Sequence, residues 1–200
     1  MTRLLVATRN ARKLAELRAL LGEVSSAIAL ETLATHPEVG ELEETGDSFE
    51  ANARAKAAAA ARASGLFALG EDSGLEVDAL GGAPGVRSAR YAGGHGDDAA
   101  NLARLLRELG AAPDRRARFV CVAALADPAG RIVAEARGAC EGAIAPAARG
   151  ANGFGYDPIF LPAARPDQTM AELTRDEKAG LSHRGRALRA ILPQLRAALC

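Results

Sequence analysis

The chain has 200 residues, 48% of them hydrophobic, which is enough for the core of one α/β domain or of two closely packed lobes. Its 25 basic and 25 acidic residues cancel, so the basic excess typical of non-specific nucleic-acid binding is absent. The 3 cysteines have no CxxC spacing, which argues against a zinc site or a disulfide framework. No apolar run has the length of a signal-peptide core or a transmembrane helix. Composition therefore favours a cytoplasmic protein with no nucleic-acid or membrane partner.

Strands and helices alternate in the first part of the chain. Apolar runs predict strands at Leu4–Ala7 and Ala27–Leu30. Between them, Asn10 is a good N-cap and Gly22 a good stop for an amphipathic helix. Its apolar face consists of Leu14, Leu17, Leu20 and Leu21.

Two further helices have clear start or stop residues. An alanine-rich helix is predicted over Ser48–Ala63, with Asp47 and Glu50 at the spacing of a capping box and Ser64-Gly65 closing it. Another is predicted over Asp97–Leu109, ending at Gly110. Its apolar face consists of Leu102, Leu105, Leu106 and Leu109.

The last third predicts a hairpin and a terminal helix. Strand-like runs at Arg118–Ala126 and Arg131–Arg137 flank a turn-forming Asp-Pro-Ala-Gly sequence. The final helix is predicted over Ser182–Leu199, with Pro193 expected to kink or interrupt it. Alternating elements followed by a hairpin predict an α/β fold with a mixed sheet.

The segment Gly70–Gly93 is the most informative part of the chain. It follows a short strand candidate, Leu66–Leu69, and begins with adjacent carboxylates at Glu71 and Asp72. We expect these acids on a flexible, ligand-facing loop, although a solvated hairpin turn has a similar composition. Buried anions need a cation, a metal or several N–H donors, and a divalent metal with a phosphate substrate would satisfy the pair.

Three other clusters have the chemistry of a nucleotide site. Backbone N–H groups between the first strand and first helix favour an anion, although ordinary helix capping explains the same residues: Thr8, Arg9, Asn10, Ala11, Arg12 and Lys13. A glycine-rich turn offers aromatic rings for base stacking, or for capping a core edge: Phe154, Gly155, Tyr156 and Asp157. Cations and donors able to meet phosphate or a keto oxygen lie further on: Lys178, His183 and Arg184.

Lysine is scarce in this chain. It occurs only at Lys13, Lys56 and Lys178, whereas the other 22 basic residues are arginine. A retained lysine suggests a role for a compact ammonium, such as phosphate binding.

Ordered motifs along nearly the whole chain resemble the inosine triphosphate pyrophosphatase family, also called dITP/XTP pyrophosphatases. The motifs that carry the resemblance are Thr8-Arg9-Asn10 with Lys13, Glu43-Glu44-Thr45-Gly46, Ser48-Phe49, Asn52-Ala53, Glu71-Asp72-Ser73-Gly74-Leu75, Gly82-Ala83-Pro84-Gly85-Val86, Ser88-Ala89-Arg90-Tyr91, Phe154-Gly155-Tyr156-Asp157-Pro158, Ala171-Glu172-Leu173 and Ser182-His183-Arg184-Gly185.

The resemblance implies Mg²⁺-dependent hydrolysis of ITP, dITP and XTP to the monophosphate and pyrophosphate, which clears these nucleotides from the pool. It also implies one domain over 1–200 with two lobes around a long central mixed sheet flanked by helices, an active-site cleft between the lobes, and a homodimer.

The resemblance also implies individual roles. Asp72 would bind the metal and act as general base, with a second metal carboxylate from Glu43 or, as the second choice, Glu44. Residues 8–13 would hold the phosphates. The remaining substrate contacts would be Ser73, Phe154, Gly155, Tyr156, Asp157, Lys178, His183 and Arg184.

The chain departs from the family pattern at two positions. Glu71 stands where many relatives have aspartate, and Arg87 where an aromatic is common. Two alternatives stay open: a related pyrophosphatase that prefers pyrimidine or modified bases, and a non-catalytic nucleotide-sensing module.

Overall fold

The structure is a computed structural model that describes residues 2–9, 15, 28–94 and 96–199. The described strands are β1 (Thr2–Val6), β2 (Ile28–Thr32), β3 (Phe67–Val77), β4 (Arg116–Ala126), β5 (Ile132–Ile144) and β6 (Phe160–Pro162). The described α-helices are α1 (Phe49–Ser64), α2 (Asp98–Leu109), α3 (Arg175–Leu181) and α4 (His183–Leu199). Short 3₁₀ segments occur at Leu33–Thr35, Pro37–Val39, Asp78–Leu80, Gly85–Arg90, Asp157–Ile159 and Met170–Glu172.

The strands form a mixed sheet in the order β2-β1-β3-β4-β5-β6. Strand β1 pairs in parallel with β2 and β3, and β5 pairs antiparallel with β6. Strands β4 and β5 are joined by the predicted turn, where the Asp127 N–H donates to the Arg131 carbonyl at 2.9 Å. The predicted α/β class with a mixed sheet is confirmed. Strand β5 extends well past the predicted end at Arg137, because pairing with neighbouring strands outweighs the weak β propensity of its Ala and Gly residues.

The prediction of a capping box at the start of α1 is wrong. The cap is Ser48, whose hydroxyl accepts from the Ala51 N–H, and not Asp47. The other end of α1 follows the expectation, because Gly65 adopts a left-handed conformation with φ of 68°.

Pro193 does not interrupt the final helix, since α4 runs from His183 to Leu199. The proline lies on the exposed face, where water can bond to the carbonyl that lost its donor. Core packing of Leu188 before the proline and Leu195 after it stabilises both halves of the helix.

The chain divides into two compact units, each with its own core. The first comprises 1–72, 121–138 and 184–200, and the second 73–120 and 139–183. The core of the first unit contains buried side chains of α4 together with Leu4, Leu69 and Leu125. In the second unit, Leu105 and Leu109 of α2 pack in a core with Phe119 and Phe160.

The helix predicted between Asn10 and Gly22 lies outside the described residues, except for Ala15, which is helical. Four candidate phosphate-binding residues, Asn10 to Lys13, also lie outside them. Within the described ranges, no helix combines the length and apolar character that crossing a membrane requires.

Candidate active site

The adjacent acids Glu71 and Asp72 lie on strand β3 and not on a loop, so the prediction that placed them on a loop is wrong. Both are buried, with 3% and 4% of their surface exposed. Successive side chains of a strand point to opposite faces, and the two carboxylates accordingly contact different helices. The strand continues because each carboxylate has a partner within the fold.

Helix α1 can approach β3 closely because both contribute small residues. A Cβ at Gly70 would lie 2.5 Å from the Ala53 carbonyl oxygen and 2.6 Å from the Ala57 nitrogen. Ala53 and Ala57 are themselves fully buried. The alanine-rich sequence therefore does more than favour a helix: it brings the polar residues of α1 within reach of Asp72.

Two side chains of α1 hold the Asp72 carboxylate. Asn52 donates from Nδ2 to Oδ2 at 2.9 Å, and Lys56 donates from Nζ to Oδ1 at 3.3 Å. The Gly46 N–H donates to Asn52 Oδ1 at 2.8 Å, which fixes the orientation of that amide. Asn52 thus links Gly46, in the segment before α1, to the carboxylate on β3.

Lys56 joins two carboxylates. Its ammonium contacts Glu44 Oε1 at 2.8 Å as well as Asp72, and its side chain is only 7% exposed. Burial opposes the charge on Lys56, but the carboxylates of Asp72 and Glu44 outweigh burial, so the pKa of the ammonium lies above its ordinary value. The lysine therefore stays protonated and lies between the two carboxyl groups.

The carboxylate oxygens of Asp72 and Glu44 are ligands of the kind that a hard divalent cation prefers. Mg²⁺ is usually bound by one or two carboxylates together with water and substrate phosphates. Asp72 and Glu44 provide two carboxylates that already contact the same cationic group. Glu43, the first choice from the sequence, is exposed, whereas Glu44 is half-buried.

Glu71 has a separate partner on the other face of β3. Arg184, the second residue of α4, donates from Nε to both carboxylate oxygens at 3.2 and 3.0 Å. Both side chains are 2% exposed. The structure therefore places Arg184, which the resemblance assigns to substrate, in contact with Glu71.

The second unit contains the predicted aromatic turn. Asp157 accepts the Phe154 N–H at Oδ2 and the Lys178 ammonium at the same oxygen, both at 2.8 Å. The Lys178 ammonium lies 4.8 Å from the centre of the Phe154 ring, within range of a cation–π contact. Phe154, Asp157 and Lys178 thus form one contiguous group, as an aromatic base platform with a nearby cation requires.

The other predicted residues have more varied positions. His183 is buried and stacks on Phe119, with ring centres 4.8 Å apart. The Tyr156 hydroxyl donates to the Ser88 carbonyl at 2.9 Å, and burial raises the pKa of this phenol. Ser73 is half-buried on β3. Beyond β1, Thr8 is half-buried and Arg9 donates to the Gly40 carbonyl.

Sequence reasoning gave no specific role to Lys56 and Asn52. The scarcity of lysine was the available signal for Lys56, and Asn52 belongs to one of the motifs that carry the resemblance. Only the packing of α1 on β3 shows that both reach Asp72.

Three comparisons, with family models, with protein sequences and with solved structures, give the same family for this chain. A model of the Ham1 family matches residues 4–194. The dITP/XTP pyrophosphatase of Mycobacterium tuberculosis is 52% identical over 198 residues, covering 98% of this chain and 96% of that protein. A HAM1 protein structure from Coxiella burnetii has a TM-score of 0.89 at 42% identity, over 98% of this chain and 100% of the other. A dITP/XTP pyrophosphatase structure from Mycobacterium abscessus has a TM-score of 0.79 at 49% identity, with the same coverage.

Proposed function

The chain belongs to the Ham1 family, and on that premise we propose how its described residues perform the activity of its relatives. The protein is an enzyme, a dITP/XTP pyrophosphatase. In this reaction water attacks the α-phosphorus of a deaminated purine nucleoside triphosphate, the bond from that phosphorus to the α–β bridging oxygen breaks, and pyrophosphate leaves with that oxygen. The products are the monophosphate and pyrophosphate.

Asp72 is the general base in this proposal. The observation that carries it is the pair of contacts by which Asn52 and Lys56 hold its two carboxylate oxygens. Donors to the ionised carboxylate keep it available to take a proton from the attacking water. The ammonium of Lys56 remains charged and stabilises negative charge that develops on the phosphates.

Asp72 and Glu44 would hold Mg²⁺. When bound, the ion neutralises triphosphate charge and lowers the pKa of a coordinated water. The contact that Lys56 makes with both carboxylates supports Glu44 over Glu43 as the second ligand. Residues 8–13 would also bind the triphosphate, as the resemblance implies.

The base would stack on Phe154. Lys178 lies against this ring, and the half-buried ring retains accessible surface for a second planar group. Donors near His183 and Arg184 are proposed to contact the 6-keto oxygen of a deaminated purine. A site built to satisfy such an acceptor rejects the 6-amino group of adenine strongly, because its donors would then be unpaired.

Several broader features implied by the resemblance also enter the proposal. They are a single functional domain, a two-lobed fold with an active-site cleft, a homodimer and a cytoplasmic location. Light scattering of the purified enzyme and fractionation of the host cells test the last two.

One substrate panel tests the reaction, the metal and the base preference together. Pyrophosphate release is measured from ITP, XTP, dITP, GTP, ATP and dTTP, with Mg²⁺ and with a chelator. We expect Mg²⁺-dependent turnover that favours ITP, dITP and XTP. Preference for dTTP would indicate a pyrimidine enzyme, and tight binding with no turnover of any nucleotide would indicate a sensing module.

A further inference from the structure

We propose that Asp98 is a positioning residue for the base-binding turn, defined as residues 153–157. The inference rests on the proposed role of Phe154 and concerns a residue on a different element, helix α2. Asp98 Oδ2 accepts the backbone N–H of Gly155 at 2.8 Å. Gly155 directly follows Phe154, so this bond acts on the backbone that carries the aromatic ring.

The turn needs external support because its sequence is conformationally permissive. Gly153 and Gly155 both have positive φ, at 80° and 62°. At Gly153 the missing side chain also makes room, since a Cβ would lie 2.1 Å from Asp157 Oδ2. Glycine allows this backbone shape but does not enforce it, because it populates many others. Phe154 lies between these two flexible positions.

Two carboxylates hold the two successive N–H groups at the ring. Asp157, from within the turn, accepts the N–H of Phe154 at 2.8 Å. Asp98, from outside the turn, accepts the next N–H along the chain, that of Gly155. Hydrogen bonds to charged acceptors are stronger than neutral ones. Together the two bonds fix the backbone conformation at Phe154 and Gly155.

Asp98 is held by an ordered element. It is the first residue of α2, and the preceding Asp97 caps the helix by accepting the Ala100 N–H at 2.9 Å. The helix is anchored by Leu105 and Leu109, which are buried in the core of the second unit. Two adjacent acids therefore have different tasks: Asp97 caps α2, and Asp98 connects α2 to the turn.

Loss of this bond should weaken nucleotide binding more than catalysis. Without Asp98, the Gly155 N–H loses its acceptor and the turn can sample other conformations, so the ring is pre-organised for a smaller fraction of the time. Apparent affinity falls with that fraction. The contacts of Asp72 with Asn52 and Lys56 involve no atom of Asp98, so kcat should change little.

The test compares four variants of the enzyme with XTP as substrate. Asp98→Ala removes the acceptor and should raise KM about tenfold, the scale of one charge-assisted hydrogen bond, with kcat within about twofold of wild type. Asp98→Asn retains an acceptor oxygen and should restore most of the affinity. Asp97→Ala removes the cap of the same helix and should lower the melting temperature without the rise in KM. Phe154→Ala tests the proposed base platform itself.

Amide hydrogen exchange at Gly155 provides a readout independent of activity. Exchange should be faster in Asp98→Ala than in wild type, and unchanged in Asp97→Ala. The inference is overturned if Asp98→Ala leaves KM and Gly155 exchange unchanged, or if Asp97→Ala reproduces its effects. If Phe154→Ala leaves KM unchanged while Gly155 exchange still depends on Asp98, the base platform is wrong and the substrate role of Asp98 fails with it. Should Asp98→Ala not fold, Asp98→Ser, too short to reach Gly155, replaces it.

Discussion

Arg184 donates through Nε to both carboxylate oxygens of Glu71, and the two side chains form an almost fully buried ion pair. The Cys121 thiol adds a weak donor 3.8 Å from Glu71 Oε2. This arrangement separates the tasks of two adjacent acids. Glu71 joins strand β3 to helix α4, while Asp72 on the opposite face of the strand contacts Lys56 and Asn52.

Glu71→Gln should destabilise the protein, because it leaves the Arg184 charge buried without its anion. Removing one partner of a buried pair typically costs about 3–5 kcal/mol. The measurement is the free energy of unfolding in urea. Glu141→Gln is the matched control, since it breaks an ion pair with Arg118 in which Glu141 is 62% exposed, and should cost about 0–1 kcal/mol. Equal decreases in the free energy of unfolding of the two variants would contradict the structural role of Glu71.

Asp72→Asn should abolish most turnover while leaving folding and nucleotide binding largely intact. The asparagine keeps an oxygen that can accept from Asn52 or Lys56, but it cannot take a proton from water. General-base removal typically lowers the rate by about 10²–10⁴-fold. Pyrophosphate release measures the rate, and calorimetric titration with XTP measures binding. Near-normal turnover would remove Asp72 as the base.

Lys56→Gln should show whether Glu44 and Asp72 can bind Mg²⁺, without relying on activity. The variant leaves two carboxylates without their shared cation, so its melting temperature should fall. Added Mg²⁺ should then raise the melting temperature more than in wild type, because the ion binds only the folded cluster.

The matched control for that experiment is the double variant Lys56→Gln with Glu44→Gln, which lacks one carboxylate. It should lose most of the Mg²⁺ effect, and a chelator should abolish the effect in Lys56→Gln. A melting temperature of Lys56→Gln that does not respond to Mg²⁺ would exclude this pair as the metal ligands. A response that survives Glu44→Gln would favour Glu43.

The sequence predicted best those features that depend on local residue patterns or on the need of a buried charge for a partner. The leucine face of α2, the Gly65 stop of α1 and the turn between β4 and β5 follow from residue type and spacing. The argument that buried anions need cations is also correct, because Glu71 pairs with Arg184 and Asp72 with Lys56.

The identity of each charged partner could not be predicted from local sequence. Residues 71 and 184 are far apart in the chain, and only the packing of α4 beside β3 brings them together. Asp98 is a similar case, since nothing in the sequence around a helix start indicates a bond to Gly155. The loop expected at Glu71 was wrong because glycine and acidic residues are typical of turns, and tertiary contacts here keep them in a strand.

Lys178→Ala should mainly weaken binding of the triphosphate. Its ammonium contacts both Asp157 and the Phe154 ring, so its loss removes a cation and loosens the turn. We expect KM for XTP to rise about tenfold or more with a smaller change in kcat. Lys178→Arg preserves the charge but not the compact ammonium, and should be intermediate. Kinetics of Lys178→Ala that match wild type would refute the proposed role of this group.

His36 is placed to make stability depend on pH. It is buried, with Nδ1 2.7 Å from Glu38 Oε1 and Nε2 2.5 Å from Glu31 Oε2. Both ring nitrogens can donate only when the imidazole is protonated. The hydrogen bond to Glu38, and next that to Glu31, raise the pKa of His36 above 6.5 despite its burial. Arg3 first, and then His36, lower the pKa of Glu31 to about 2.

The free energy of unfolding should therefore fall as pH rises through the raised pKa of His36. The folded state binds this proton more tightly than the unfolded state, so the stabilisation is complete below about pH 6.5 and is lost above the folded pKa. Urea titrations between pH 5.5 and 9 should show His36→Gln less stable than wild type at the acid end, with the difference shrinking toward the alkaline end. Glu38→Gln removes the strongest partner and should move the decline to lower pH. A difference between wild type and His36→Gln that stays constant across this range would show that His36 contributes through packing and not through its proton.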